Sequence, residues 1–295
     1  MKKVALVGYG HWGKNLARCF NELGALVAIV DADPIRFSLA KDTYLRAQIC
    51  KDVGSLLRWI EGDRGVGPQV DAIVIATPPE THYDIAHQAL NERMDVFIEK
   101  PMTTNSEEAK ALCDLAKFRK LNLMVGHIYL HNGGVKAMPI PVGKAELYIQ
   151  LLNEKGAPSD STRDVVWAGL PHVCSLALHF FPDEPESIWA KRDKDRIRVV
   201  LNYWNGSTAY LDVGDNTGRK LRRVELDWGS SRYLFDVKDP NLCYLQSGIE
   251  VKSFGTSMGP EPLMEECKAF LEYQGVDLMG PKVVKLIEEI ISQCT

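Results

Sequence analysis

Short apolar runs, each ending at a glycine, an aspartate or a proline turn, punctuate the first 125 residues. Val4-Ala5-Leu6-Val7 reaches Gly8, and Leu26-Val27-Ala28-Ile29-Val30 stops at Asp31-Ala32-Asp33-Pro34. Ala72-Ile73-Val74-Ile75-Ala76 runs into Thr77-Pro78-Pro79, and Val96-Phe97-Ile98 leads into Glu99-Lys100-Pro101. Continuous apolar runs of this length predict strands buried on both faces. Helical spacing lies between them: Trp12, Leu16, Cys19, Phe20 and Leu23 share one face. Further helices are expected at about 53–59 and 81–91, and from Asn105 or Ser106 to Arg119, where Glu107 and Glu108 favour the helix dipole. Gly62, Gly65, Gly67 and Pro68 mark a loop, and Leu123-Met124-Val125 closes the series. Strict β/α alternation with buried strands predicts a parallel, doubly wound sheet covered on both faces.

Beyond Gly126 the period changes. Residues 196–203, 207–213, 221–228 and 232–237 read as strands, several with period-two alternation, and Asn205-Gly206 is a tight hairpin signal. Asp215-Asn216-Thr217-Gly218 marks a longer turn, one helix (about 165–180) precedes the strands, and two (about 263–273 and 282–292) follow. The expected organisation is an α/β domain over 1–125 and an α+β domain over 126–295. The second carries a mainly antiparallel open sheet, and its C-terminal helices pack back toward the first.

The 295 residues, 45% hydrophobic and 25% charged, suit a two-domain globular protein able to bury real cores. A net charge of −4 gives no electrostatic reason to expect nucleic acid or an anionic membrane as partner. The seven cysteines are scattered without CxxC spacing, and no apolar stretch approaches 18 residues. These features predict reduced thiols, a cytoplasmic location and no membrane association.

Gly8-Tyr9-Gly10-His11-Trp12-Gly13 fits GxGxxG between a buried strand and a helix. The first glycine permits the tight turn, the second lets main chain approach a pyrophosphate, and the third allows close helix–strand packing. The helix N-terminus adds unpaired N–H groups for the phosphates. This context predicts a Rossmann domain binding a dinucleotide. Asp31, 18 residues after Gly13, can accept hydrogen bonds from the adenosine ribose and would repel a 2′-phosphate, favouring NAD(H). Arg36 leaves NADP(H) possible. The plainer reading of Asp31 or Asp33 is a cap on the following helix. Thr77, Pro78 and His82, with Glu99 and Lys100, follow later strands at the same sheet edge, where ligands bind.

Taken together, these motifs resemble the glucose–fructose oxidoreductase, inositol dehydrogenase and MocA (Gfo/Idh/MocA) family. The resemblance rests on Gly8–Gly13, Asp31, Ala76-Thr77-Pro78-Pro79 with His82, and Glu99-Lys100-Pro101, the most specific of the set. It extends through Gly126-His127, Trp167 to Phe181 and Glu261-Pro262-Leu263. Val166-Trp167-Ala168-Gly169-Leu170-Pro171-His172 is most similar to nucleotide-sugar 3-dehydrogenases acting on UDP-N-acetylglucosaminuronate. The resemblance implies that Lys100 and His172 face the nicotinamide and the reacting carbinol. It implies that Gly8, Gly10, His11, Trp12, Gly13, Asp31, Thr77, Pro78, His82, Glu99 and Lys100 hold the cofactor. It also implies a homodimer or homotetramer built on the open face of the second sheet. Ala168 stands where many members carry an aspartate, and the segment after His127 is cut to about 135–138 before Pro139 and Pro141.

An imidazole, ordinarily near pKa 6.5, suits the proton role of His172, whereas a lysine starts near 10.4 and needs lowering. Lys100 is therefore expected to polarise the hydroxyl, with His172 accepting its proton. His127 and His131 are expected to share a strand face, and His82 and His87 one helix, with no carboxylate or cysteine to complete a metal site. The basic residues at 191–192, 196, 198, 219, 220, 222 and 223 read as a solvated sheet face, or else as an arginine meeting a sugar-nucleotide diphosphate. Met258–Pro262 reads as a cleft-lining loop. Tyr203, Tyr210, Leu226 and Tyr233 are expected to cover the open sheet face. Two other readings stand beside the sugar dehydrogenase: a reductase of a non-sugar C=N or C=C bond, and a cofactor-binding sensor without turnover.

Overall fold

The computed structural model describes residues 1–62, 68–154, 165–215, 217–236, 242–255 and 261–294. They fall into two units, Met1–Gly126 with Leu263–Pro281, and His127–Pro262 with Lys282–Thr295. No helix among the described residues is long and apolar enough to cross a membrane.

In the first unit, β1 (Val4–Val7), β2 (Leu26–Val30), β3 (Gln48–Cys50), β4 (Ala72–Ile75), β5 (Asp95–Glu99) and β6 (Leu123–Gly126) form one sheet. All pairs are parallel, in the order β3-β2-β1-β4-β5-β6. Strand order reverses between β1 and β4, which opens a crevice at the carboxyl ends of the strands. Its helices are α1 (His11–Glu22), α2 (Pro34–Thr43), α3 (Val53–Glu61), α4 (His82–Asn91) and α5 (Ser106–Arg119). Local chemistry sets their starts. Asp33 caps α2 through Ile35 and Arg36 N–H, Asp52 and Ser55 form a capping box on α3, and Asn105 caps α5. The cap on α2 is thus Asp33, which leaves Asp31 for another task.

The second unit holds α6 (Gly133–Lys136), α7 (Val165–Phe180) and an eight-stranded sheet. Its strands are β7 (Ala145–Leu152), β8 (Ser187–Asp193), β9 (Arg196–Asn202), β10 (Thr208–Gly214), β11 (Leu221–Trp228), β12 (Ser231–Asp236), β13 (Leu242–Ser247) and β14 (Glu250–Gly255). The order is β14-β13-β12-β11-β7-β10-β9-β8, antiparallel except for β7 with β10. Two helices close the chain, α8 (Pro262–Glu272) and α9 (Met279–Gln293). Phe270 of α8 makes edge contacts with Phe20 of α1 and Phe97 of β5 in the first unit's core.

An α/β Rossmann unit and an α+β unit with a mainly antiparallel sheet are the expected fold class. Five strands (β3, β7, β8, β13 and β14) go beyond the sequence reading, and β7 lies inside the second sheet, between β10 and β11. The buried face of the sheet carries Leu147, Ile149, Ile197, Val199, Leu211 and Val213, against which α7 packs. Gly169 of α7 lies so close to the Val213 side chain that a Cβ would overlap it.

The tyrosine stripe needs correcting. Cross-strand partners share a face, and Leu226 pairs with Leu147 and Tyr233, whereas Tyr210 pairs with Tyr148. Successive residues 147 and 148 point oppositely, so Leu226 and Tyr233 lie across the sheet from Tyr210. Tyr203 is buried against Phe181, past the end of β9. Of the four, Tyr210 alone lies on the other face, stacked on Tyr148. The pairing of His127 and His131 on a strand face also fails. His127 follows β6 and His131 closes a 3-10 turn, Ile128–His131. The basic run is largely a solvated face with acidic partners: Arg196 pairs with Asp212, Arg198 with Asp193 and Arg223 with Glu225. Arg222 is the exception, its guanidinium donating to the Leu152 carbonyl and to Asn153 Oδ1.

Candidate dinucleotide and active site

The β1–α1 turn gives its three glycines three different jobs. Gly8 has φ +98°, and a Cβ there would lie 2.6 Å from the Ala76 carbonyl oxygen of the neighbouring strand end. A Cβ on Gly13 would overlap the Gly8 carbonyl oxygen. Gly10 differs. Its φ is −71°, and the nearest atom to a Cβ would be Arg36 Nη1 at 3.8 Å. Among the described residues nothing requires glycine at position 10, and the space beside its main chain is open. Gly10 is also the N-cap of α1, with no side-chain cap and no acidic residue in the first turn. The first N–H groups of α1 therefore have no capping side chain, the arrangement that receives phosphate oxygens. The residues present fit a dinucleotide. His11 is exposed beside this turn and Trp12 half-buried.

Asp31, buried at the end of β2, accepts hydrogen bonds from Tyr9 N–H (2.7 Å) and Asp33 N–H (2.9 Å). It braces the glycine turn from the next strand, and the remaining lone pairs of both oxygens stay available to hydroxyl donors. Arg36 pairs loosely with Asp33 at 3.9 Å while lying near Gly10.

His82 opens α4 and is buried. Its ring nitrogens lie 2.9 Å from the Thr77 carbonyl and 2.9 Å from the Pro101 carbonyl. Burial lowers its pKa, so the ring is neutral and donates to one carbonyl at a time. His82 is thus a strut tying the Thr77-Pro78 turn to the turn after Lys100. Thr81 Oγ1 tightens the first of these through the Thr77 hydroxyl and the Pro78 carbonyl. Pro78 itself is exposed at the rim.

Glu99 ends β5 and is buried next to half-buried Lys100. Its Oε1 accepts the Trp12 indole N–H at 2.5 Å, and its Oε2 faces Lys100 N–H at 3.2 Å. Gly126 of β6 walls it in: a Cβ there would come within 3.1 Å of Oε1. Burial pushes its pKa up to about 7, against the lowering effects of Lys100 and Trp12. The sign of the pH effect follows. Glu99 holds its proton more tightly folded than unfolded, so its contribution to stability is complete below about 4.5 and is lost as pH rises through about 7. The wild type should lose stability relative to Glu99→Gln between pH 5 and 8, by at most about 3 kcal/mol. Thermal melts of both proteins across that range test this, and parallel pH curves would reject it.

In the second unit, α7 carries His172 directly after Pro171, which has no N–H to offer the Trp167 carbonyl one turn back. The His172 ring meets Tyr129 edge-on, with centroids 5.1 Å apart at 68°. Tyr129 is half-buried and interacts through its hydroxyl with Arg222, while partial desolvation raises its pKa. Ala168, one turn before His172, supplies no carboxylate. Met258, Gly259 and Pro260 lie outside the described residues.

Within the first unit, the structure gathers Gly8, Gly10, Gly13, Trp12 and Asp31 around the β1–α1 turn, and Thr77, His82 and Pro101 into a second knot. Trp12 joins the glycine turn to Glu99. Sequence reasoning missed Tyr129, which nothing local distinguishes from a core tyrosine, and the buried acid Glu266 on α8. An acidic residue at a buried helix position was the one available signal for the latter.

Residues 2–127 match the model of the Gfo/Idh/MocA oxidoreductase family, NAD-binding Rossmann fold. The chain is 27% identical over 237 residues to a UDP-N-acetylglucosamine 3-dehydrogenase of Acidithiobacillus ferrooxidans, covering 77% of this chain and 71% of that one. It is 29% identical over 126 residues to an inositol 2-dehydrogenase of Rhizobium meliloti, covering 42% of this chain and 35% of that protein. A solved structure of the A. ferrooxidans UDP-N-acetylglucosamine 3-dehydrogenase superimposes with a TM-score of 0.87 at 22% identity, over 99% of this chain and 97% of that one.

Proposed function

We propose, from the match of residues 2–127 to the Gfo/Idh/MocA oxidoreductase family model, that the chain moves hydride between NAD(H) and a secondary hydroxyl or ketone of a sugar or nucleotide sugar. The observation that carries this reading is the open space at Gly10 beside the uncapped N-terminus of α1, with Asp31 behind it. The bound nicotinamide accepts or returns the hydride. The protein's task is orientation and proton handling. Lys100 polarises the hydroxyl oxygen, and His172 takes the hydroxyl proton as the carbinol C–H leaves as hydride, which yields the ketone. In reduction the same proton returns from His172. Tyr129, edge-on to His172, holds the ring in place where other family members use a carboxylate one turn away.

The relative with UDP-N-acetylglucosamine as its substrate makes that compound the first to try, with its uronate second. Ala168 favours one further reading, reduction of a non-sugar C=N or C=C bond, in which no hydroxyl proton needs a carboxylate-backed histidine. Asp31 favours NAD(H), because a buried carboxylate repels a 2′-phosphate. Titration of nicotinamide fluorescence should give micromolar NADH binding and weaker NADPH binding. Asp31→Ala should weaken NADH at least tenfold and erase the preference. Binding of neither nucleotide by the wild type would reject the function.

A further inference from the structure

Two carboxylates of the first unit are buried, Glu99 and Glu266. Glu99 accepts from Trp12 N–H and Lys100 N–H, and Gly126 leaves it no room for a further side chain, since a Cβ there would come within 3.1 Å of Oε1. Glu266 of α8 is fully buried, and neither of its oxygens has a hydrogen-bond partner among the described residues. An ionised carboxylate with no donor in an apolar core is too costly to persist, so Glu266 is the protonated member. Charge on Glu99 would oppose charge on Glu266, and the neighbouring buried thiol of Cys267 is kept protonated by its hydrogen bond with buried Cys19 and by desolvation. Glu99, with an indole donor and a neighbouring ammonium, is the member able to carry charge near neutral pH.

We propose that Trp12 and Glu266 are positioning residues that act through Glu99: the indole N–H steadies a carboxylate charge beside Lys100, and neutral Glu266 leaves room for it. The fifth residue of the glycine turn is thereby wired to the reacting lysine. Trp12 sits in the first turn of α1, where the phosphates are received, and its donor reaches a residue 87 positions away, next to Lys100. Displacing that turn moves the indole and alters the charge that keeps the Lys100 amine protonated. This inference rests on the reading of Lys100 as the lysine facing the substrate hydroxyl.

The test needs no substrate. The rate at which acetic anhydride acetylates Lys100, measured by mass spectrometry on the intact protein against exposed Lys51 as reference, reports the fraction of free amine. In the wild type, Lys100 acetylation should rise less steeply than that of Lys51 between pH 6 and 8, because Glu99 gains charge over that range. At pH 8, Glu99→Gln should speed Lys100 acetylation roughly tenfold, the effect of losing one neighbouring charge. Trp12→Phe, which keeps the ring and drops the donor, should speed it by a smaller factor of about three. Glu266→Gln, an amide in place of a neutral acid, should leave it within about twofold. Parallel slopes for Lys100 and Lys51 in the wild type would overturn the proposal even if a variant failed to fold. A several-fold slowing in Glu266→Gln would overturn the assignment of the proton. Failure of the oxidoreductase reading is a separate result: it would show as absent NADH binding, with the labelling pattern intact.

Discussion

Lys100→Met is expected to slow hydride transfer by about a thousandfold while NADH still binds within a few-fold of wild type. Methionine keeps the length and apolar body of lysine and removes the charge that polarises the hydroxyl oxygen, a role worth about 10²–10⁴ in rate. Lys100 follows β5 directly, and the phosphate-receiving turn is at α1, so the two effects separate. His172→Gln should cost about a hundredfold, more at low pH than at high, because a hydroxyl sheds its proton to solvent more readily as pH rises. Single-turnover absorbance reads both, as NADH formed from NAD⁺ with UDP-N-acetylglucosamine or another hydroxyl compound, or as NADH consumed with a ketone or imine of the same panel. Unchanged hydride transfer in Lys100→Met, with NADH bound, would remove Lys100 from the mechanism.

The second large effect separates two glycines three residues apart. Gly10→Ala should leave the melting temperature near wild type, since φ is −71° and the nearest atom to the new methyl is 3.8 Å away. Its NADH affinity should fall about a hundredfold, ~2.7 kcal/mol, because the methyl occupies the space a pyrophosphate needs. Gly13→Ala should do the reverse first: it drives a methyl into the Gly8 carbonyl, which costs about 3 kcal/mol of stability before any ligand is added. Calorimetric titration of NADH beside thermal melts of both variants decides the matter. Equal loss of stability in the two would mean that Gly10 is a structural glycine and that the open face has no ligand.

Both effects trace back to features readable along the chain. The Val4–Val7 run, the Gly8–Gly13 spacing and the helical stripe through Phe20 are contained within a few turns of sequence. The pattern of that stretch was therefore enough to place β1, the turn and α1 almost to the residue. The same holds for the cap of α5 and for α7, whose sequence is mostly apolar. In the second unit the reading was thinner. β7 alternates cleanly, yet its place between β10 and β11 depends on pairing with residues 62 or more positions away. Assigning Leu226 and Tyr210 to one face failed for the same reason: a strand's own alternation does not say which parity matches its neighbour's.

For the candidate site, the residue types and their edge of the sheet were legible, but their working partners were not. Asp31 could have been a helix cap, and only the placement of Tyr9 N–H against it shows a brace for the glycine turn. His82 was grouped with the cofactor residues, yet its surroundings are two main-chain carbonyls from separate loops. Glu99 too was grouped with the cofactor residues, and only the packed chain shows it buried and bonded to the Trp12 indole. By itself the sequence determined the parallel β/α unit and the glycine turn between β1 and α1, because both are written in local spacing and side-chain chemistry, whereas Lys100 and His172 were singled out through the family resemblance. Tertiary structure alone decided that the Trp12 indole bonds to Glu99 and that Glu99 and Glu266 are both buried, because desolvation and hydrogen bonding between distant residues exist only once the chain has packed.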